Sequence, residues 1–234
     1  MTPSAIGAVL FDKDGTLFDF GATWDGWAAR TLRDLADGDE VVLQDLATVA
    51  CFDLEAARFR PDSPIIAGTN REAAQCLAKA LPARRVEDIE RHLMLTSSVA
   101  PLAPAVALVP LLSLLAQSGL KLGVMTNDTE FGALAHLRQA GVSDMFDFVA
   151  GFDSGYGAKP APDPLLAFAR AVGVVPGRCV MVGDSAHDLV AGRAAGMRCV
   201  GVLTGPAQAD VLAPLADIVL PDIGHLPGWI ASLS

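Results

Sequence analysis

Two aspartates one residue apart, Asp12 and Asp14, directly follow the apolar run "AVLF" and lead into Gly15 and Thr16. Neighbouring carboxylates repel unless a proton or a cation lies between them. A hard divalent ion such as Mg2+ meets that need, because it takes oxygen ligands and commonly bridges carboxylates to a substrate phosphate. Gly15 permits a tight turn, and Thr16 can hydrogen-bond the turn backbone. Asp184, after the run "CVMVG", offers a further carboxylate ligand, with Asp188 one helical turn beyond as an orienting group or a contact through metal-bound water. Two more polar clusters follow apolar runs: "TND" (Thr126, Asn127, Asp128) and "AKPAPD", which carries Lys159.

Positioning these groups together requires particular elements. Six short runs, "GAVLFD", "KLGVMTN", "FDFVAG", "RCVMVGDS", "MRCVGVLTG" and "ADIVLPD", read as strands, and their near-continuous apolar character suits a parallel sheet covered on both faces. Helical segments such as "FGALAHLRQAG", "DPLLAFARAVG" and "HDLVAGRAAG" lie between them, each closed by a glycine. This alternation predicts an α/β fold with a doubly wound, Rossmann-like parallel sheet, in which ligands bind at the carboxyl ends of the strands. The four polar clusters therefore converge on one crevice. The stretch 21–99 breaks the rhythm: it offers no strand but four helix-like segments, "WDGWAARTLRDLAD", "VVLQDLATVACF", "NREAAQCLAKAL" and "VEDIERHLML". The chain is expected to divide into a catalytic core of residues 1–20 and 100–234 and an inserted helical cap domain of residues 21–99. Hinges are expected at "LFDFG" and "SVAPLAP".

Composition narrows the class. Of 234 residues 52% are hydrophobic and only 19% charged, which describes a buried, folded chain. A formal net charge of -10 argues against a nucleic-acid or anionic-membrane partner, since both demand a basic surface. Four cysteines without CxxC spacing read as reduced thiols of a cytoplasmic protein. No secretory signal is visible, and Pro101, Pro104 and Pro110 interrupt the longest apolar run, so a spanning helix is not expected.

In this order, and at these strand ends, "DKDGT", "TN", "KP" and "GDSAHD" resemble the four signature motifs of the haloacid dehalogenase superfamily. The insertion after the first motif looks like the cap of its phosphoglycolate phosphatase-like and β-phosphoglucomutase-like branch. The resemblance implies a Mg2+-dependent phosphomonoester hydrolase acting on a small phosphorylated metabolite, such as phosphoglycolate or a sugar phosphate. It makes Asp12 the nucleophile that forms an aspartyl-phosphate and Asp14 the general acid-base. Thr126 and Asn127 would hold the phosphoryl oxygens, and Lys159 would neutralise charge. The metal would be bound by the Asp12 carboxylate, the Asp14 backbone carbonyl and Asp184, with Asp188 behind.

Haloacid dehalogenases proper lack the second aspartate, and P-type ATPases carry threonine there, so Asp14 points to phosphoryl transfer with turnover. A phosphomutase is the nearest alternative. A phospho-aspartate receiver-like signalling module is another, although receivers are about half this length. By the same resemblance Arg71, in "GTNREAAQCLAKAL", could bind a distal anionic group of the substrate, with an exposed helix arginine as the plainer reading. Lys13 points away from the phosphate by strand alternation and is assigned a structural or surface-pairing role. Trp24 and Trp27 share a helix face and are read as packing, and the four histidines show no metal-ligand spacing. Neither the physiological substrate nor an oligomeric state is encoded in these motifs.

Overall fold

Strand β1 (Ala8–Phe11) is buried along its whole length and pairs in parallel with β4 (Lys121–Met125) on one side and β6 (Cys179–Gly183) on the other. In the computed structural model, which describes residues 6–233, three further pairings extend this centre. Adding β5 (Phe148–Ala150), β7 (Arg198–Val202) and β8 (Ile218–Leu220) gives a six-stranded sheet of order β5-β4-β1-β6-β7-β8, all neighbours parallel. Residues 1–5 and 234, assigned to the core from sequence, lie outside the described residues. All six expected strands are present.

Period-two alternation divides the strand side chains between two cores. Val9, Phe11, Val124 and Val182 pack on one face with Leu111, Leu112 and Leu115 of α5 (Leu108–Gln117). Ala8, Leu10 and Met181 pack on the other with Leu165 and Phe168 of α7 (Asp163–Ala171) and Ala191 of α8 (Ala186–Ala194). Burial on both faces explains why the strands read as continuous apolar runs.

Between β1 and β4 the chain forms α1 (Phe20–Ala36), α2 (Glu40–Val49), α3 (Asn70–Ala78) and α4 (Val86–Ser97). These bury a separate cluster that includes Leu32, Leu35, Leu46, Ala74, Leu77, Ile89 and Leu93. Asp19 caps α1 by accepting from the Ala22 amide at 2.8 Å, and Thr69 with Glu72 closes a capping box on α3. One element here departs from expectation: β2 (Phe52–Asp53) and β3 (Arg58–Phe59) form a two-residue antiparallel ribbon. Two residues per strand are too few for alternation to show. The ribbon is held by Asp53, which accepts from the Glu55 and Ala56 amides, and by the edge-on contact of Phe52 with Phe59. Among the described residues no helix is long and apolar enough to cross a membrane, and all four cysteines are free thiols.

Candidate active site

β1 and β6 are neighbours in register, with Phe11 opposite Val182, so the residues that follow them emerge side by side. This brings together Asp12 and Asp184, 172 positions apart in sequence. Asp188 reaches the same point from the first turn of α8, and carboxylate oxygens of the three lie within 4.8 Å of one another. Lys159, from the loop before α7, places its Nζ 2.6 Å from Asp12 Oδ1 and 2.6 Å from Asp188 Oδ1, and donates to the Met125 carbonyl at 2.9 Å. Lys159 is only 4% exposed, so it is not a surface lysine.

The electrostatics of this cluster are unbalanced. Burial raises the Asp184 pKa well above the carboxylate range, and Asp188 and Asp12 push it in the same direction. Burial likewise raises Asp12, with Lys159 opposing. Burial disfavours the charge on Lys159, but Asp12 and Asp188 outweigh it and hold the ammonium above its ordinary pKa. Three buried carboxylates thus share one ammonium, and Asp184 takes part in no ion pair among the described residues. Space around Asp184 is kept by two glycines: a Cβ on Gly15, whose φ is +74°, or on Gly205 would overlap the Asp184 carboxylate. An all-oxygen donor set with surplus negative charge, cradled by glycine backbone, fits a hard divalent cation.

Asp188 also caps its own helix. Its Oδ2 accepts from the Ser185 amide and hydroxyl while Oδ1 holds Lys159, so the carboxylate is anchored at both oxygens. Thr126 is 2% exposed and lines the same cavity. It is not the cap of α6 (Glu130–Gln139); Thr129 is, through the Gly132 amide. The Asn127 side chain is consumed in positioning: Oδ1 accepts from the Lys159 amide, and Nδ2 donates to the Lys159 and Ala67 carbonyls. Only its backbone remains for a phosphoryl oxygen.

Asp14 is held by groups that sequence reasoning placed elsewhere. Trp24 Nε1 donates to Asp14 Oδ1 at 2.9 Å, and Lys13 Nζ lies 2.9 Å from Oδ1 and 2.8 Å from Oδ2. Of the two roles expected for Lys13, the structural one holds and surface pairing is corrected: the side chain is fully buried, 3.1 Å from Asp128 and 5.2 Å from the centre of the Trp24 ring. It does point away from Asp12, as alternation requires, but α1 and α6 cover that side. His136 of α6 completes the enclosure, with Nδ1 3.0 Å from Lys13 Nζ and Nε2 2.7 Å from the Ser97 carbonyl. An ammonium only donates, so Nδ1 accepts and the proton sits on Nε2. Burial and Lys13 both lower the His136 pKa, in keeping with a neutral ring. Reading Trp24 as packing alone is corrected too. The tripeptide Asp12-Lys13-Asp14 signals a paired lysine, but no spacing points to Trp24, Asp128 or His136 as its partners.

Arg71 is not brought to the site. It is half exposed and pairs with Glu90 at 2.8 Å and Glu87 at 3.7 Å on α4, because α3 turns Ala73, Ala74 and Leu77 inward and leaves Arg71 on its outer side. The cavity over the carboxylates runs up between α1, α3 and α4 and is lined there by Trp24, Trp27, Leu32, Leu77 and Leu93.

The family model for haloacid dehalogenase-like hydrolases matches residues 6–196. A phosphoglycolate phosphatase of Rhodospirillum rubrum is 32% identical over 231 residues, covering 95% of this chain and 90% of that one. One from Neisseria meningitidis is 41% identical over 118 residues, so that match spans half of this chain and only half the length of that relative. Among solved structures, CbbY from Rhodobacter sphaeroides in complex with phosphate superposes with a TM-score of 0.68 at 22% identity, covering 94% of this chain and 96% of that one. A haloacid dehalogenase-like hydrolase structure from Bacteroides fragilis gives 0.72 at 21% identity, over 94% and 99%. These two share the fold. With the family model spanning both halves of the carboxylate cluster, the chain belongs to the haloacid dehalogenase-like hydrolases.

Proposed function

We propose that this chain hydrolyses a phosphomonoester of a small metabolite through an aspartyl-phosphate, with Mg2+ as cofactor. The observation that carries the reading is the buried contact of Lys159 with Asp12 beside Asp184 and Asp188 at the carboxyl end of the sheet. Asp12, Asp184 and the Asp14 backbone carbonyl would hold the cation, with Asp188 keeping Lys159 in place. When bound, the cation offsets the repulsion between the carboxylates and the phosphate and polarises the phosphoryl group.

The chain's own groups carry the steps. An Asp12 oxygen forms a bond to phosphorus as the ester oxygen departs, and Asp14 passes a proton to that oxygen. Asp14 then takes a proton from water as the water attacks the aspartyl-phosphate, which frees Asp12 and inorganic phosphate. Lys159 offers its positive charge to the phosphoryl group, and Thr126 and the Asn127 amide offer donors to its oxygens. Trp24 and Lys13 keep Asp14 from swinging away. The helical block of residues 21–99 acts as a cap whose closure excludes bulk water from the phosphoenzyme. Free thiols and an acidic surface fit a cytoplasmic enzyme with no nucleic-acid or membrane partner.

The test is phosphate release from a panel of phosphomonoesters with Mg2+, with Asp12→Asn as the blank. Phosphoglycolate, named in the relatives, is the first ester to assay. Steady release without a bisphosphate activator, abolished by EDTA and restored by excess Mg2+, is expected. Release no faster than the blank overturns the reading.

A further inference from the structure

The two ends of the cavity are chemically opposite. Its floor holds five aspartates, Asp12, Asp14, Asp128, Asp184 and Asp188, and the cation facing it, Lys159, is already committed to Asp12 and Asp188. Its roof is apolar, built from Trp27, Leu32, Phe59, Ile66, Leu77 and Leu93. The polar side chains on that roof, Thr31, Asn70 and Ser97, carry no charge, and no arginine lines any part of the cavity among the described residues. Arg71, next to Asn70, is tied outward to Glu87 and Glu90, and Arg58 and Arg60, on either side of Phe59, line a separate cleft. His187 contacts the Ala67 carbonyl through Nδ1.

A second anionic group on the substrate would therefore lose its hydration against the hydrocarbon of the roof, without a cation there to replace the water. Burying an unpaired carboxylate costs several kcal/mol, whereas burying apolar surface is favourable. Trp27 adds to that cost: its indole Nε1 is already buried with no hydrogen-bond partner, so the roof offers no exposed donor there.

We infer that the preferred substrate is the phosphate monoester of an uncharged, largely apolar alcohol, and that esters carrying a carboxylate on the leaving group, phosphoglycolate included, are disfavoured. This rests on the phosphomonoesterase reading above and specifies its leaving group. Benzyl phosphate and 4-carboxybenzyl phosphate isolate the feature, since they differ in one remote carboxylate and have similar leaving oxygens. With Mg2+, kcat/KM for benzyl phosphate should exceed that for 4-carboxybenzyl phosphate and for phosphoglycolate by at least about tenfold. A smaller ratio for either overturns the inference and leaves the hydrolase reading intact. If none of the three is hydrolysed faster than by Asp12→Asn, the hydrolase reading fails and calorimetric binding of the first two esters decides. Benzyl phosphate binding about tenfold tighter then upholds the inference, and any smaller difference overturns it.

Discussion

Lys13 and Lys159 are both buried lysines flanked by two aspartates, yet their surroundings differ. Lys159 sits 2.6 Å from Asp12 and from Asp188 and lines the cavity. Lys13 sits 2.8 Å from Asp14 and 3.1 Å from Asp128, but the Trp24 ring and His136 seal it in. An ammonium that faces a cavity can meet an incoming phosphate. One that is walled in can only orient its neighbours. In the proposed mechanism the same charge pattern would supply one group at the reacting centre and one that holds Asp14 in position. Lys13 further connects, through His136, to the Ser97 carbonyl at the end of α4. The posture of Asp14 is therefore tied to the helical block above it.

Substitutions separate the two lysines. Lys159→Met should have the largest effect: a loss of about 10²–10³ in kcat/KM from removing the positive charge beside the phosphoryl group. It should also lower stability by about 3–5 kcal/mol, because Asp12 and Asp188 remain buried without their cation; phosphate-release kinetics and urea unfolding measure both. Lys13→Met should destabilise by less, since Asp14 and Asp128 keep 18% and 12% of their side-chain surface in contact with solvent. Its kinetic signature should be a lower kcat with KM nearly unchanged. Equal KM effects from the two substitutions would erase the distinction between a binding and an orienting lysine.

Trp24→Phe keeps the ring and removes the hydrogen bond to Asp14. A drop of about tenfold in kcat, equivalent to about 1.4 kcal/mol, is expected without a change in Mg2+ affinity. Arg71→Ala should be the smallest, within about twofold in kcat/KM and under about 1 kcal/mol in stability, as befits an exposed pair. A rise in KM of about tenfold for an anionic ester would return Arg71 to the substrate and weaken the apolar-roof argument.

Much of this was legible before any coordinates. The runs "AVLF", "LGVM" and "CVMVG" are apolar throughout because both faces of each strand are covered, and that pattern survives in one dimension. The carboxylates at their ends were legible because strand ends in such sheets are where ligands sit. The ribbon of Phe52–Asp53 with Arg58–Phe59 was not, being too short to carry a period. The partners of Lys13 and Trp24 were not either, since their spacing carries no recurring pattern: Trp24 is ten residues from Asp14, and His136 is 123 from Lys13.

Residue types and their order along the chain were enough to specify the sheet, the four polar clusters and the family they resemble, because hydrophobic period and motif spacing are local properties. Which way each side chain faces across a gap of a hundred residues is not local. Whether Lys13 meets solvent or a histidine, and whether Arg71 turns toward the cavity or toward Glu90, depends on how helices pack, and packing is decided by the whole surface each helix buries. Tertiary structure alone therefore decided what holds Asp14 and that the roof over the carboxylates is apolar.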